Sequence, residues 1–127
     1  MSKRKKGSGN DQAARPGSYR DSVIADLRAG KTVYNYKEGG NSMSPRIKNG
    51  QLQTLVPITD LASIKRRDIL LCKVKGNIYT HQVLCIRKNG GELEFLIGNN
   101  HGGVNGWTRC VYGQSVEAYW ERRIVER

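Results

Sequence analysis

A mainly β fold with one short N-terminal helix is what this chain predicts, and three features carry that expectation. From residue 31 to residue 120, β-branched and aromatic residues come in short runs separated by Gly, Asn and Pro, the punctuation of strands and turns. Two junctions, Gly76-Asn77 and Asn89-Gly90-Gly91, hold residues that take positive φ cheaply, as tight hairpins require. Ahead of them, "SYRDSVIADLRAG" (18–30) repeats its apolar residues at helical spacing. Connections this short favour antiparallel pairing.

The elements follow in order. Residues 1–17 combine Lys, Arg, Gly, Ser and Pro with almost no apolar side chains. They cannot bury enough surface to offset the entropy of ordering, so they are expected to form a flexible basic tail. In the helix, Ser18 is placed to cap, Asp21 sits in the first turn, Tyr19, Val23, Ile24 and Leu27 line one face, and Gly30 supplies the stop. The expected strands are 31–37, 51–58, 68–75, 77–86, 92–98 and 110–120. A hairpin turning at Gly76-Asn77 sets Cys72 opposite His81. No internal repeat is present.

Length and composition bound the class. A chain of 127 residues fits one domain, here 18–127. No window approaches the ~18–20 apolar residues of a membrane-spanning helix. The basic start "MSKRKKGSGNDQ" lacks the apolar stretch of a secretion signal, so a soluble, cytoplasmic protein is expected. Cys72, Cys85 and Cys110 show no C-x-x-C spacing, which argues for reduced thiols over a disulfide framework or a zinc ribbon. The net charge of +11 attracts anionic partners, nucleic acid or an acidic protein, through a salt-sensitive field. The excess is spread over the chain. No phosphate-binding loop or dinucleotide fingerprint occurs, so no cofactor is expected.

The chemistry-bearing residues are few. "GGNSMSPRIKNGQ" (39–51) places Ser42 between glycine-rich backbone and a Met-Ser-Pro turn. By itself that describes a loop serine, because a nucleophilic serine needs a base within hydrogen-bond reach. Two histidines are available. His81 lies in "IYTHQVLCI", where alternation puts it on one face with Tyr79, Val83 and Cys85. There it is either a packed core histidine or a general base held neutral by apolar surroundings. His101, in "GNNHGGVNGW", reads as an exposed polar residue. A metal site built from His81, His101 and a cysteine has no supporting spacing, and no metal is expected.

Taken together, these segments resemble the S24/S26 serine peptidase superfamily of signal peptidase I and LexA-type peptidase domains. "NSMSPRIKNGQ" is similar to its Ser-Met-x-Pro nucleophile box, and "IKRRDILLCKV" to the segment where Gly-Asp opens a strand. "THQVLCI" is similar to the His-Arg-Val box of the Ser-His signal peptidases, and "IGNNHGGVNGW" to the Gly-Asp-Asn box. The resemblance covers roughly residues 19–119. It implies a compact coiled antiparallel sheet, or partly open barrel, of the LexA/signal peptidase type, and a soluble member such as bacterial or phage genomes carry. It implies Ser42 as nucleophile and His81 as general base, with Met43 and Pro45 shaping the substrate-side turn and the Ser42 N–H donating to the oxyanion. The chain departs from the pattern where Asn99 replaces the usual acid, where Gly40 replaces a serine two residues before the nucleophile, and where Arg67 replaces Gly. With no carboxylate in the last box, Asn99 or Asn105 is left to orient His81.

Two functions are therefore expected. One is a soluble serine endopeptidase-like protein that cleaves its own tail or a partner protein through a Ser-His dyad. The alternative is a catalytically weak or inactive module on the same fold, whose basic tail and surface engage nucleic acid or an acidic protein. A signal peptidase proper is not expected, because no apolar run of membrane-spanning length is seen, and neither is a LexA-type repressor, because a 17-residue tail would be too short for a helix-turn-helix domain. The oligomeric state is not encoded in any of these features.

Overall fold

The computed structural model describes residues 16–125. The basic tail expected at 1–17 lies, up to residue 15, outside the described residues. Among the described residues there is one α-helix, α1, which spans Pro16–Arg28. It opens with proline, whose fixed φ suits the first helical position, so Ser18 falls inside the helix and is not its cap. Val23, Ile24 and Leu27 are buried as the periodicity predicts. Tyr19 stays half exposed and stacks on Tyr36, with ring centroids 5.7 Å apart. The helix ends in a Schellman motif: Gly30 has φ +83°, its N–H reaches the Leu27 carbonyl at 3.0 Å, and the Lys31 N–H reaches the Asp26 carbonyl at 2.9 Å.

Seven strands follow among the described residues: β1 (Val33–Lys37), β2 (Leu52–Pro57), β3 (Ile69–Val74), β4 (Asn77–Asn89), β5 (Glu92–Gly98), β6 (Val104–Thr108) and β7 (Cys110–Tyr119). A 3₁₀ turn, Leu61–Ser63, lies between β2 and β3. They form one antiparallel sheet in the order β1-β2-β7-β3-β4-β5-β6, with β1 and β6 as its edges. The fold is thus mainly β, with a sheet that does not close. Six strands coincide with expected runs, and β4 continues past residue 86 to Asn89. The seventh, β6, was not expected. Its sequence, Val-Asn-Gly-Trp-Thr, is short and surrounded by Gly and Asn, so local propensity reads it as loop. Pairing with β5 makes it a strand.

The β3–β4 hairpin corrects the expected register. Val74 pairs with Asn77, and the two-residue turn is Lys75-Gly76, with φ of +51° and +85°. Positive φ at both central residues matches the twist of the flanking strands. Lysine accepts that conformation here, so Asn77 is released into the strand. His81 therefore faces Leu70, and Cys72 faces Tyr79. A second correction concerns Cys85: a bulge between Val83 and Cys85 shifts the β4–β5 register and leaves that thiol exposed.

Three apolar clusters hold the sheet. One face of α1 packs through Val23, Ile24 and Leu27 on Tyr36, Leu55, Leu71 and Tyr112. Leu70, Cys72, Val74, Val83, Phe95 and Ile97, with Ile64, form the second under β3, β4 and β5. Burial there pushes the Cys72 thiol up to about 12, so it behaves as a small apolar side chain. The third cluster, Met43, Ile47 and Ile69, underlies the Ser42 loop. At Gly113 a Cβ would lie 2.8 Å from the Val56 carbonyl oxygen of the neighbouring strand β2 and 2.9 Å from Leu27 Cδ1 of α1. Gly113→Ala should therefore lower the unfolding free energy by about 1–3 kcal/mol, read as an earlier urea midpoint at unchanged slope. An unshifted midpoint would show that the β2 backbone and the helix both give way there without cost.

Candidate active site

Ser42 lies on the connection between β1 and β2, and its position follows from what its neighbours bury. Residues 43–47 make one helical turn, with the Ile47 N–H on the Met43 carbonyl at 3.1 Å. Residues four apart share a face, so Met43 and Ile47 enter the core together against Ile69. Ser42, one residue before Met43, is left exposed, as is Pro45 beyond it. The Ser44-Pro45 peptide is cis. Among the described residues, no other group takes the Ser42 N–H as a hydrogen bond.

His81 meets Ser42 from the middle of β4. Its Nε2 is 3.1 Å from Ser42 Oγ, and its Nδ1 is 2.7 Å from Asn105 Oδ1. An amide oxygen only accepts, so His81 Nδ1–H donates to Asn105 and Nε2 keeps its lone pair for the Ser42 hydroxyl. The imidazole is buried, and the Tyr79 ring stacks on it with centroids 4.9 Å apart. The ring is thus fixed by two hydrogen bonds and one aromatic face. Of the two candidate orienters, Asn105 alone reaches His81, and it stands on β6, the strand that local sequence does not reveal.

Asn99 does different work. Its Oδ1 accepts from the N–H groups of His101 and Gly103, both at 2.8 Å, and closes the β5–β6 loop on itself. The residue beside it, Asn100, ties that loop to the serine loop. The Asn100 N–H donates to the Ser42 carbonyl at 2.8 Å and its Nδ2 to the Ser44 carbonyl at 3.0 Å. Gln82, behind His81 on the opposite face of β4, supports both loops. Its Nε2 donates to the Asn99 carbonyl at 3.0 Å, and its Oε1 accepts from Arg46 at 3.2 Å. Arg46 also donates to the Arg67 carbonyl at 2.8 Å. Burial first, and then the neighbouring Arg67 charge, lower the Arg46 pKa. Arg67 has φ +76°, a backbone conformation that glycine adopts more cheaply. His101 Nε2 lies 2.9 Å from the Asn41 carbonyl and 3.2 Å from Ser44 Oγ. That nitrogen must donate to the carbonyl, so it offers Ser44 no lone pair.

Sequence reasoning missed Asn100, Gln82 and Arg46, all of which act on backbone groups. The one signal available was strand alternation, which places Gln82 on the face opposite His81. It also missed Glu38 and Gln53. A cavity of about 60 Å³ opens beside Ser42 and His81, with Met43, Gln53, Glu38 and Tyr79 in its walls. Glu38 Oε1 accepts from Tyr36 Oη at 3.2 Å and from Thr80 Oγ1, and Arg20 Nη1 is 3.7 Å from Oε2. Burial, reinforced by the Glu38 charge, raises the Tyr36 pKa, so Tyr36 remains a donor. A larger open depression, about 760 Å³ between Asp26, Tyr34 and Arg123, contains neither Ser42 nor His81.

Comparison with known proteins finds no matching family model, no matching curated protein and no matching solved structure. The site therefore rests on its own geometry. No helix among the described residues is long and apolar enough to cross a membrane.

The hydrogen bond to Asn105 should dictate the His81 tautomer. In ¹⁵N spectra above the imidazole titration, the wild-type protein is expected to show one protonated nitrogen, Nδ1, with Nε2 unprotonated. Asn105→Ala should return the ring to a mixture dominated by the Nε2–H form that free imidazole prefers. An unchanged spectrum would mean that Asn105 does not orient the ring.

Proposed function

We propose that this chain is a serine endopeptidase of the S24/S26 type, in which Ser42 is the nucleophile, His81 the general base and Asn105 the residue that positions the base. The observation that carries the reading is the continuous path Ser42 Oγ–His81 Nε2 and His81 Nδ1–Asn105 Oδ1, at 3.1 and 2.7 Å. Both spans fall within the reach that proton transfer needs. The order of the four sequence boxes and the antiparallel sheet that carries them agree with the LexA/signal peptidase type of fold.

The reaction follows from the atoms present. His81 Nε2 takes the Ser42 proton as Oγ attacks the carbonyl of a polypeptide substrate, giving a tetrahedral intermediate. The Ser42 N–H donates to the developing oxyanion, where a fixed donor counts more than it does in water. The imidazolium returns its proton to the leaving amine, an acyl-enzyme remains, and water attacks it with His81 again as base. A neutral amide stands where many triads have a carboxylate. Because Asn105 presents its oxygen, it keeps the productive tautomer, as asparagine does in Cys-His-Asn peptidases. It supplies no charge to stabilise the imidazolium, so turnover is expected to be slow.

Acylation by p-nitrophenyl acetate, followed by peptide mass mapping, tests the nucleophile. Cleavage of a defined peptide library tests the reaction. Wild-type protein should carry an acetyl group on Ser42 and generate new termini. Ser42→Ala and His81→Ala should each lower cleavage by roughly 10³-fold or more, and the double variant should lose little beyond that, because the two residues act as a unit. Equal cleavage by wild type and Ser42→Ala would overturn the proposal.

A further inference from the structure

Asn105 orients the imidazole of His81, and the residue that follows it is Gly106. We propose that this Asn-Gly pair is a self-modification site, at which Asn105 loses its side-chain amide and becomes an aspartate that completes a Ser-His-Asp relay; the inference rests on the peptidase reading above. An asparagine amide is lost when the backbone nitrogen of the next residue attacks Cγ, and glycine, with no Cβ, leaves that nitrogen open to approach. Three local features suit the attack. β6 carries a bulge here: Ile97 pairs with Gly106 and Gly98 with Val104, so Asn105 is the extra residue, with no partner of its own in the ladder. Its Oδ1 accepts the His81 Nδ1–H at 2.7 Å, which draws electrons from Cγ and makes that carbon the better electrophile. The Nδ2 that must leave makes no hydrogen bond among the described residues, and it is not sealed from solvent.

The conversion balances with water alone. Gly106 N bonds to Asn105 Cγ and gives up its proton, the Cγ–Nδ2 bond breaks, and ammonia departs to leave a five-membered succinimide. Water then adds at Cγ, the bond from Cγ to Gly106 N breaks, that nitrogen recovers a proton, and position 105 is an aspartate on an unaltered backbone. Water adding at the backbone carbonyl would give isoaspartate, with one more carbon in the main chain. The pairs on either side of the bulge, Gly98 with Val104 and Ile97 with Gly106, fix the length of chain between them and oppose that insertion. The aspartate oxygen stands where Oδ1 stood, facing His81 Nδ1–H. It holds the same tautomer as the amide, and its charge also stabilises the imidazolium that forms as Ser42 attacks.

The full chain supplies its own controls. Two other Asn-Gly pairs, Asn49-Gly50 in the serine loop and Asn89-Gly90 in the β4–β5 turn, have asparagines that bond to Gly40 and Glu94 and meet no histidine among the described residues. Protein aged in warm, mildly alkaline buffer is mapped by mass spectrometry with fragmentation that separates aspartate from isoaspartate, and Ser42 acetylation by p-nitrophenyl acetate is timed in parallel. Asn105 should convert to aspartate, and severalfold more slowly in His81→Ala while the other two pairs keep their rates. Retention of the amide, conversion to isoaspartate alone, or a rate at position 105 that ignores His81→Ala would overturn the modification site. Acetylation should quicken with the aspartate content at position 105 in the wild type and stay flat in Asn105→Gln, whose longer side chain closes a ring far more slowly. An equal rise in both would overturn the link between the conversion and the relay. Fresh Asn105→Asp protein should acetylate roughly 10²-fold faster than fresh wild type. Acetylation of Ser42 at an unchanged rate would overturn the gain from the carboxylate and leave the nucleophile standing. Absence of Ser42 acetylation in both proteins would overturn the peptidase reading, an outcome read separately from the mapped chemistry at position 105.

Discussion

An imidazole held by both of its nitrogens is the constraint around which this chain is arranged. His81 draws one partner from 39 residues before it and the other from 24 residues after it, and neither contact forms unless the intervening sheet is in register. Central β4 holds the ring rigidly because it is paired on both sides, with β3 and with β5. The partners come from less regular segments. Ser42 stands on a long loop, and Asn105 on a five-residue edge strand. The cost of ordering those segments has to be offset elsewhere, and two kinds of contact do so.

Beneath the serine loop the contacts are apolar, with Met43 and Ile47 buried on Ile69. Above it they are polar, and nearly all are made to backbone groups. Asn100 binds the carbonyls of Ser42 and Ser44, Gln82 the carbonyl of Asn99, and Arg46 the carbonyl of Arg67. A loop carries carbonyls that no strand partner satisfies, and side-chain amides and guanidinium groups are the donors suited to them. The result is one connected scaffold that joins the serine loop, the β5–β6 loop and the start of β3. The two faces of β4 divide the work. His81 meets Ser42 and Asn105 on one face, and Gln82 holds the two loops together on the other.

Polarity inside the site is equally divided. Tyr79 stacks on the imidazole and Leu70 stands opposite it on β3, so the ring has apolar neighbours on the strand face. Glu38, a short distance along the cavity, is surrounded by Tyr36, Thr80 and Arg20, so its charge is directed into those groups. No carboxylate makes a hydrogen bond to His81 among the described residues. The His81–Asn105 contact thus involves no charged partner, while the wall of the neighbouring cavity carries the Glu38 carboxylate.

How much of this was legible beforehand depends on the range of the interaction involved. Six of the seven strands could be read from the residues, because β-branched runs and glycine turns act locally, and the apolar face of α1 was legible from its periodicity. The pairing of Ser42 with His81 was raised by the order of the motifs along the chain. The strand β6 was invisible, since Val-Asn-Gly-Trp-Thr has no strong propensity and becomes a strand only by bonding to β5. With it went the choice between Asn99 and Asn105, two amides of the same chemistry that only their placement distinguishes. The register of the β3–β4 hairpin turned on whether lysine or asparagine accepts a positive φ, a small energy difference that tertiary pairing decided. The sequence by itself determined which side chains could carry a proton, a nucleophile or a buried face. Only the tertiary structure decided which of them meet, because hydrogen bonds of 2.7 and 3.1 Å between residues far apart in the chain depend on strand register, and a shift of one residue in a turn changes every cross-strand pair.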